Sequence, residues 1–288
     1  MRHITGDRVH SWAEDEGFLA GRVVKCQDCH FLCKYVRPSS AYFHQHYANA
    51  GEDYIERLAE EDPRYREDFR VARELLRKAF PKGGSILDVG CASGFFLETL
   101  GENWNRHGLE LFHLAAERAR KRAGISVSEC DIGSAGFADR SFDVVSAFDV
   151  IEHLAEPMVF FRAAQRMLKP GGWLLLGTGN AGSVGALMSG SRWTYFCIPE
   201  HVSFFSPRSL MLALQKSGLS CFRIKRIHHG ERNTAIVTAW LRAVGKHWAV
   251  TICGDRVTRL RLFRQKTSEF LVPYFFDHMI CIARAKKM

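Results

Sequence analysis

No run in this 288-residue chain is apolar and long enough to span a bilayer. The longest apolar stretches, near residues 235–241 and 249–253, fall far short of the roughly 20 residues a spanning helix needs. The opening MRHITGDRVHSWAEDEGF lacks the apolar h-region of a secretory signal. Internal repeats and low-complexity tracts are also missing, which excludes solenoids and fibrous classes. A cytoplasmic protein with its nine cysteines held as thiols is the expectation. The glycine-rich stretch at residues 88–94 also lacks two phosphate-binding patterns, G-x-G-x-x-G and G-x-x-x-x-G-K-[ST].

What is there is ordinary globular material. Hydrophobic residues make up 47% of the chain, enough for one sizeable core, and charged residues 25%. The net charge of +9 would favour an anionic partner. The cluster Arg256, Arg259, Arg261, Arg264 and Lys266 reads as a solvated helix face before it reads as a nucleic-acid site.

The informative zone is residues 61–180. PRYREDFRVARELLRKAF spaces Phe69, Ala72, Leu75, Leu76 and Phe80 as a helix face, stopped by Pro81, Gly83 and Gly84. SILDVGC reads as a strand, FFLETL as a helix start, RHGLEL as a strand and HLAAERARKRA as a helix. ISVSECD and FDVVSAFDV read as strands, PMVFFRAAQRMLK as a helix with a KPGG stop, and GWLLLGTGN as a fifth strand. Apolar strands joined by helices predict an α/β fold with a largely parallel sheet covered on both faces. Ligands of such sheets lie beyond the carboxyl ends of the strands.

Those ends carry a pattern. Asp88-Val89-Gly90-Cys91-Ala92-Ser93-Gly94 follows the first strand, where Gly90 and Gly94 allow a tight turn and close approach of a ligand. Glu110 ends the second strand, where a carboxylate can accept bonds from ribose hydroxyls. Asp131 ends the third, placed to face an adenine amino group, and Phe148 with Asp149 ends the fourth. Close backbone approach and carboxylates without a phosphate-binding lysine suit a nucleoside that has no pyrophosphate.

ILDVGCASGFFLETL resembles the S-adenosylmethionine (SAM) loop of class I methyltransferases. GLEL and ECDI are similar to their ribose and adenine positions, and FDVVSAFDVIEHLAEP and LKPGGWLLLGTGN to their fourth and fifth strand motifs. The resemblance implies a Rossmann-like seven-stranded mixed sheet of order 3-2-1-4-5-7-6, its last strand antiparallel, with helices on both faces. It assigns SAM binding to Asp88, Gly90, Cys91, Ala92, Gly94, Glu110, Leu111, Asp131, Ile132 and Phe148. RWTYFCIPEHVSFFSPRSLMLALQKSGL and HMICIARAKK resemble the acceptor-side segment and last strand of ubiquinone-pathway O-methyltransferase relatives.

The resemblance thus implies methyl transfer from SAM to a small-molecule acceptor, at oxygen, giving S-adenosylhomocysteine (SAH). His201 first and His153 second are the candidate bases, because an imidazole titrates near neutrality. Trp193 and Tyr195 are the candidate acceptor contacts. Two alternatives stay open: an RNA methyltransferase, though no RNA-binding module or N/D-P-P-Y-type motif is present, and a non-catalytic SAM-fold binding protein.

Two further clusters resemble metal sites. Asp149, Glu152, His153 and His201 fall where some relatives hold a divalent metal, and Glu152 with His153 reads equally as a loop-ordering pair. The metal is left open and the loop-ordering reading preferred. Cys26, Cys29, His30 and Cys33 resemble a zinc ribbon that lacks its second cysteine pair, hence a degenerate one. The expected organisation is a Cys/His/aromatic segment over residues 1–60, acting as degenerate ribbon and lid, and a methyltransferase domain over 61–288. Within the latter, 181–206 forms an acceptor-pocket loop and 230–276 a helical insertion, whose Trp, Leu and Arg also suit peripheral membrane contact.

Overall fold

A computed structural model describes residues 23–35, 63–227 and 278–286. Most of the N-terminal segment and the insertion at 230–276, with its basic cluster and the membrane-contact expectation, lie outside the described residues. Among the described residues no helix is long and apolar enough to cross a membrane.

The elements in chain order are β1 (Val23–Lys25), β2 (Leu32–Lys34), α1 (Pro63–Ala79), β3 (Gly84–Val89), α2 (Phe95–Glu98), β4 (Trp104–Leu109) and α3 (His113–Arg120). They continue with β5 (Ile125–Ser128), β6 (Phe142–Phe148), α4 (Pro157–Met167), β7 (Leu168–Gly179), α5 (Val184–Ser189) and α6 (Thr194–Cys197). The last are β8 (Ser203–Phe204), α7 (Pro207–Lys216), β9 (Leu219–Ile227) and β10 (His278–Ala285).

Seven strands form one sheet in the order β5-β4-β3-β6-β7-β10-β9. Numbered by their own sequence, that is 3-2-1-4-5-7-6, as expected. β10 runs antiparallel to both β7 and β9, while β3, β4, β5, β6 and β7 pair in parallel. Alternation along each strand divides the core. Ile86, Val144, Leu175 and Ile280 pack under α1 to α3 with Phe69, Leu76 and Phe96. Leu87, Val145, Leu176 and Met279 pack under α4 and α7 with Phe160, Phe161 and Leu210. Both faces are covered, which is why the central strands β3, β6 and β7 carry apolar runs.

Two local expectations are corrected. KPGG does not stop the helix as a separate turn: α4 ends at Met167 and β7 begins at Leu168, so Lys169, Gly171 and Gly172 belong to the strand. The ladder shifts register opposite them, between Phe142 and Val144, and Gly171 sits at φ +77°. FFLETL yields only a four-residue helix, because the Thr99 hydroxyl donates to the Phe96 carbonyl and Gly101 turns at φ +83°.

A second small sheet, β1-β2-β8, joins the N-terminal hairpin to the segment after β7. Its strands are two or three residues long, too short to leave a periodic signal in the sequence.

Candidate functional site

The turn after β3 is built from backbone that few side chains tolerate. Gly90 and Gly94 have φ +68° and +78°, and Ala92 between them +46°. Gly90 also serves the packing of the turn. A Cβ there would lie 2.5 Å from Val150 Cγ2, so glycine lets the turn close against the segment after β6. Cys91 is buried in the core against the strands, and burial pushes its thiol well up.

Glu110, at the end of β4, reaches back into this turn. Its Oε2 accepts from the Ala92 N–H at 2.8 Å and its Oε1 from the Phe112 N–H at 2.8 Å. Burial raises its pKa, and those N–H groups oppose the rise. Leu111 beside it is exposed, while Ile132 and Phe148 are buried. Asp88 lies beneath the turn, fully enclosed, accepting from Ser146 Oγ at 2.7 Å. Burial pushes its pKa up to about 7, with the Glu110 charge adding to the rise.

Asp131 stands apart. Its Oδ1 accepts from the N–H groups of Gly133 and Ser134 at 2.7 and 3.0 Å, and its Oδ2 from Ser134 Oγ at 2.7 Å. The carboxylate thus caps its own turn on an exposed residue, whereas Glu110 and the glycine turn form one unit.

The acceptor side gathers around β6, β7 and α6. Asp149 follows β6 at φ +51°, a costly conformation for a non-glycine residue. Its Oδ1 accepts from His278 Nε2 at 2.7 Å and from the Tyr195 hydroxyl at 3.2 Å. Glu152 is fully buried, accepting from the Tyr195 hydroxyl at 2.6 Å and Thr178 Oγ1 at 3.0 Å. Burial, then the Asp149 charge, pushes Glu152 up to about 8. Tyr195 lies so close over Gly179 that only glycine leaves space for its ring. With these bonds made, the carboxylates of Asp149 and Glu152 are committed to protein partners. Among the described residues no group of three or more His, Cys, Asp or Glu could hold a metal ion.

The two candidate bases do meet: the His153 and His201 rings are 4.7 Å apart, and His201 also lies 4.2 Å from the Tyr195 ring. His201 is buried and its Nδ1 has no hydrogen-bond partner. Burial, then the nearby His153, holds its pKa well below the ordinary value. Trp193 is not an acceptor wall. It is fully buried, stacked on Tyr195 at 5.1 Å and edge-on to Phe196, so it forms the core of the loop. Two members of this site, His278 and Asp68, carried no motif. His278 Nδ1 faces Asp68 Oδ2 at 3.3 Å, and both are buried.

The N-terminal hairpin braces the same loop. Buried Lys34 donates from Nζ to the carbonyls of Ile198 and Pro199 at 2.8 and 3.1 Å, just before His201. Lys34→Met is expected to leave those carbonyls unsatisfied and to cost about 1–3 kcal/mol in a denaturant titration. A loss within error would show that the brace carries no weight.

Residues 64–223 match a family described as a methyltransferase domain. Over 150 residues the chain is 28% identical to the ubiquinone biosynthesis O-methyltransferase of Thiobacillus denitrificans, covering 48% of this chain and 65% of that protein. The fold is similar to the [4+2]-cyclase SpnF, with a TM-score of 0.59 at 19% identity over 88% of this chain and 98% of that one. It is also similar to the 1,6-didemethyltoxoflavin-N1-methyltransferase of Burkholderia thailandensis, solved with 1,6-didemethyltoxoflavin and SAH bound. There the TM-score is 0.56 at 10% identity, over 91% of this chain and 98% of that one. At such identities the two structures bear on fold alone.

Proposed function

The chain belongs to the methyltransferase-domain family and is a SAM-dependent methyltransferase, and we propose that it methylates a small-molecule acceptor at oxygen. The observation that carries this reading is the unit formed by Glu110 and the turn at residues 90–94. SAM supplies an electrophilic methyl group on sulfur, so the protein's work is orientation, exclusion of water and removal of a proton.

The residues at the strand ends fit this nucleoside. Glu110 is anchored by two N–H groups yet keeps lone pairs for ribose hydroxyls. Ser93 Oγ, inside the turn, is buried without a partner, a polar atom that a ligand could satisfy. Exposed Leu111 offers an apolar surface to the base. Asp131 orders the turn that carries Ile132, and its Oδ2 retains a lone pair toward an adenine amino group. Glu110→Ala is expected to weaken SAH binding about 10- to 100-fold by calorimetry, the worth of a charged hydrogen-bonding group. Equal affinity would remove Glu110 from the site.

On the acceptor side, the His201 ring hydrogen-bonds the Tyr195 backbone and Nδ1 is left without a partner. In the neutral imidazole, Nδ1 carries the lone pair that takes the acceptor hydroxyl proton, with His153 next in line. The half-buried Tyr195, rather than Trp193, lies beside that imidazole as the acceptor contact.

The hairpin over residues 23–35 supports a degenerate-ribbon reading of the N-terminal segment. Cys26 N–H donates to the Phe31 carbonyl and His30 N–H to the Cys26 carbonyl, a knuckle closed by His30 at φ +59°. We read it as a lid brace acting through Lys34. Mass spectrometry of the small molecules that copurify tests the whole proposal: SAH with a hydroxylated compound supports it, and a nicotinamide or nucleotide phosphate in its place overturns it.

A further inference from the structure

The fold buries a chain of polar groups of which the methyl-transfer reading uses Tyr195 alone. Asp68 on α1 faces His278 at the start of β10, His278 bonds Asp149 after β6, and Asp149 accepts from Tyr195 on α6. Tyr195 in turn donates to Glu152. These five groups belong to four segments that meet only in the folded sheet. His278 and Asp68 are 1% and 0% exposed, so neither is held there by solvent. Apolar residues would be less costly at such sites, while removing one partner leaves the other buried and uncompensated.

The two ends of the chain touch different halves of the proposed site. Next to Asp68, Phe69 packs on Phe96 at 5.1 Å and Phe148 at 5.2 Å, against the helix that leaves the glycine turn. At the other end Tyr195 lies against His201 and the acceptor loop. A shift of α1 toward or away from the turn therefore moves Asp68, and with it the hold on Asp149 and Tyr195.

We propose that His278 is a positioning residue that transmits occupancy of the SAM site, through Asp149 and Tyr195, to the acceptor loop. It rests on the cofactor reading above. The consequence is order: the loop tightens once the cofactor is seated, so an acceptor is enclosed only beside a bound methyl donor.

Hydrogen exchange followed by mass spectrometry, with SAH as the probe, tests this. In the wild type, SAH slows exchange at residues 90–98 and also at 190–202. In His278→Asn, SAH still protects 90–98, but its effect on 190–202 falls about tenfold, a typical size for coupling between sites. Tyr195→Phe, which leaves Asp68, His278 and Asp149 in place, loses protection at 190–202 while keeping it at 90–98. Should His278→Asn not fold, Asp68→Asn cuts the same link at its other end and is expected to give the same result. Undiminished protection of 190–202 in the variants, or none there in a wild type protected at 90–98, overturns the coupling. A wild type unprotected at 90–98 overturns the cofactor reading instead, and the coupling with it. A merely structural role would lower the melting temperature of each variant without changing the effect of SAH on the loop.

Discussion

His201→Asn lowers methyl transfer by about 10²- to 10⁴-fold and leaves SAH affinity unchanged, if His201 is the base. Asparagine keeps a side chain that can bond the Tyr195 backbone, so the loop survives while the lone pair of a titratable imidazole is gone. The pH profile separates His201 from its neighbour. Burial holds His201 well below the ordinary histidine range, so it stays neutral and competent through neutral pH. Turnover is expected to remain flat as pH falls through 6.5 and to drop only in stronger acid. A loss centred near 6.5 would point to a base other than His201. Unchanged turnover in His201→Asn would remove His201 from proton transfer.

Stability falls as pH rises from 6.5 to 9. Three buried groups hold protons more tightly in the folded chain than in the unfolded one. Asp88 and Glu152 are pushed up to about 7 and 8 from ordinary carboxylate values, chiefly by burial. His278 is opposed by burial, but the charges of Asp149 and Asp68 and the bond to Asp149 carry it up to about 9. A group whose folded pKa is raised stabilises fully below its unfolded pKa and loses that contribution as pH climbs through the folded value. For His278 alone the loss between 6.5 and 9 is about 3 kcal/mol at 1.36 kcal/mol per unit. Denaturant titrations at pH 6, 7.5 and 9 check the direction. Asp88→Asn, which cannot ionise, is expected to match the wild type in acid and to exceed it by a few kcal/mol at pH 8. A wild type that gains stability toward pH 9 would mean that these groups are not enclosed as described.

The fold was readable because its signals are local. β3, β6 and β7 carry short apolar runs, and the turn at residues 90–94 and Glu110 sit at strand ends that the motifs mark directly. What escaped was what depends on distant contact. Asp68 stands among Arg66, Glu67 and Arg70 on a helix, and nothing in that pattern turns it inward. His278 looks like a polar residue ahead of an apolar strand, and only the antiparallel insertion of β10 beside β7 brings it to Asp149. Trp193 was read as a pocket wall because an aromatic in a loop gives no hint whether it faces ligand or its own loop. Asp131 lies beyond the end of β5, which stops at Ser128, and its carboxylate is engaged by the glycine and serine that follow it.

The most direct test is an electron-density map of the protein crystallised with SAH. The account places the ribose hydroxyls within hydrogen-bond distance of the Glu110 carboxylate and the thioether at the turn formed by residues 90–94. SAH bound elsewhere, or a ribose that does not reach Glu110, would contradict it.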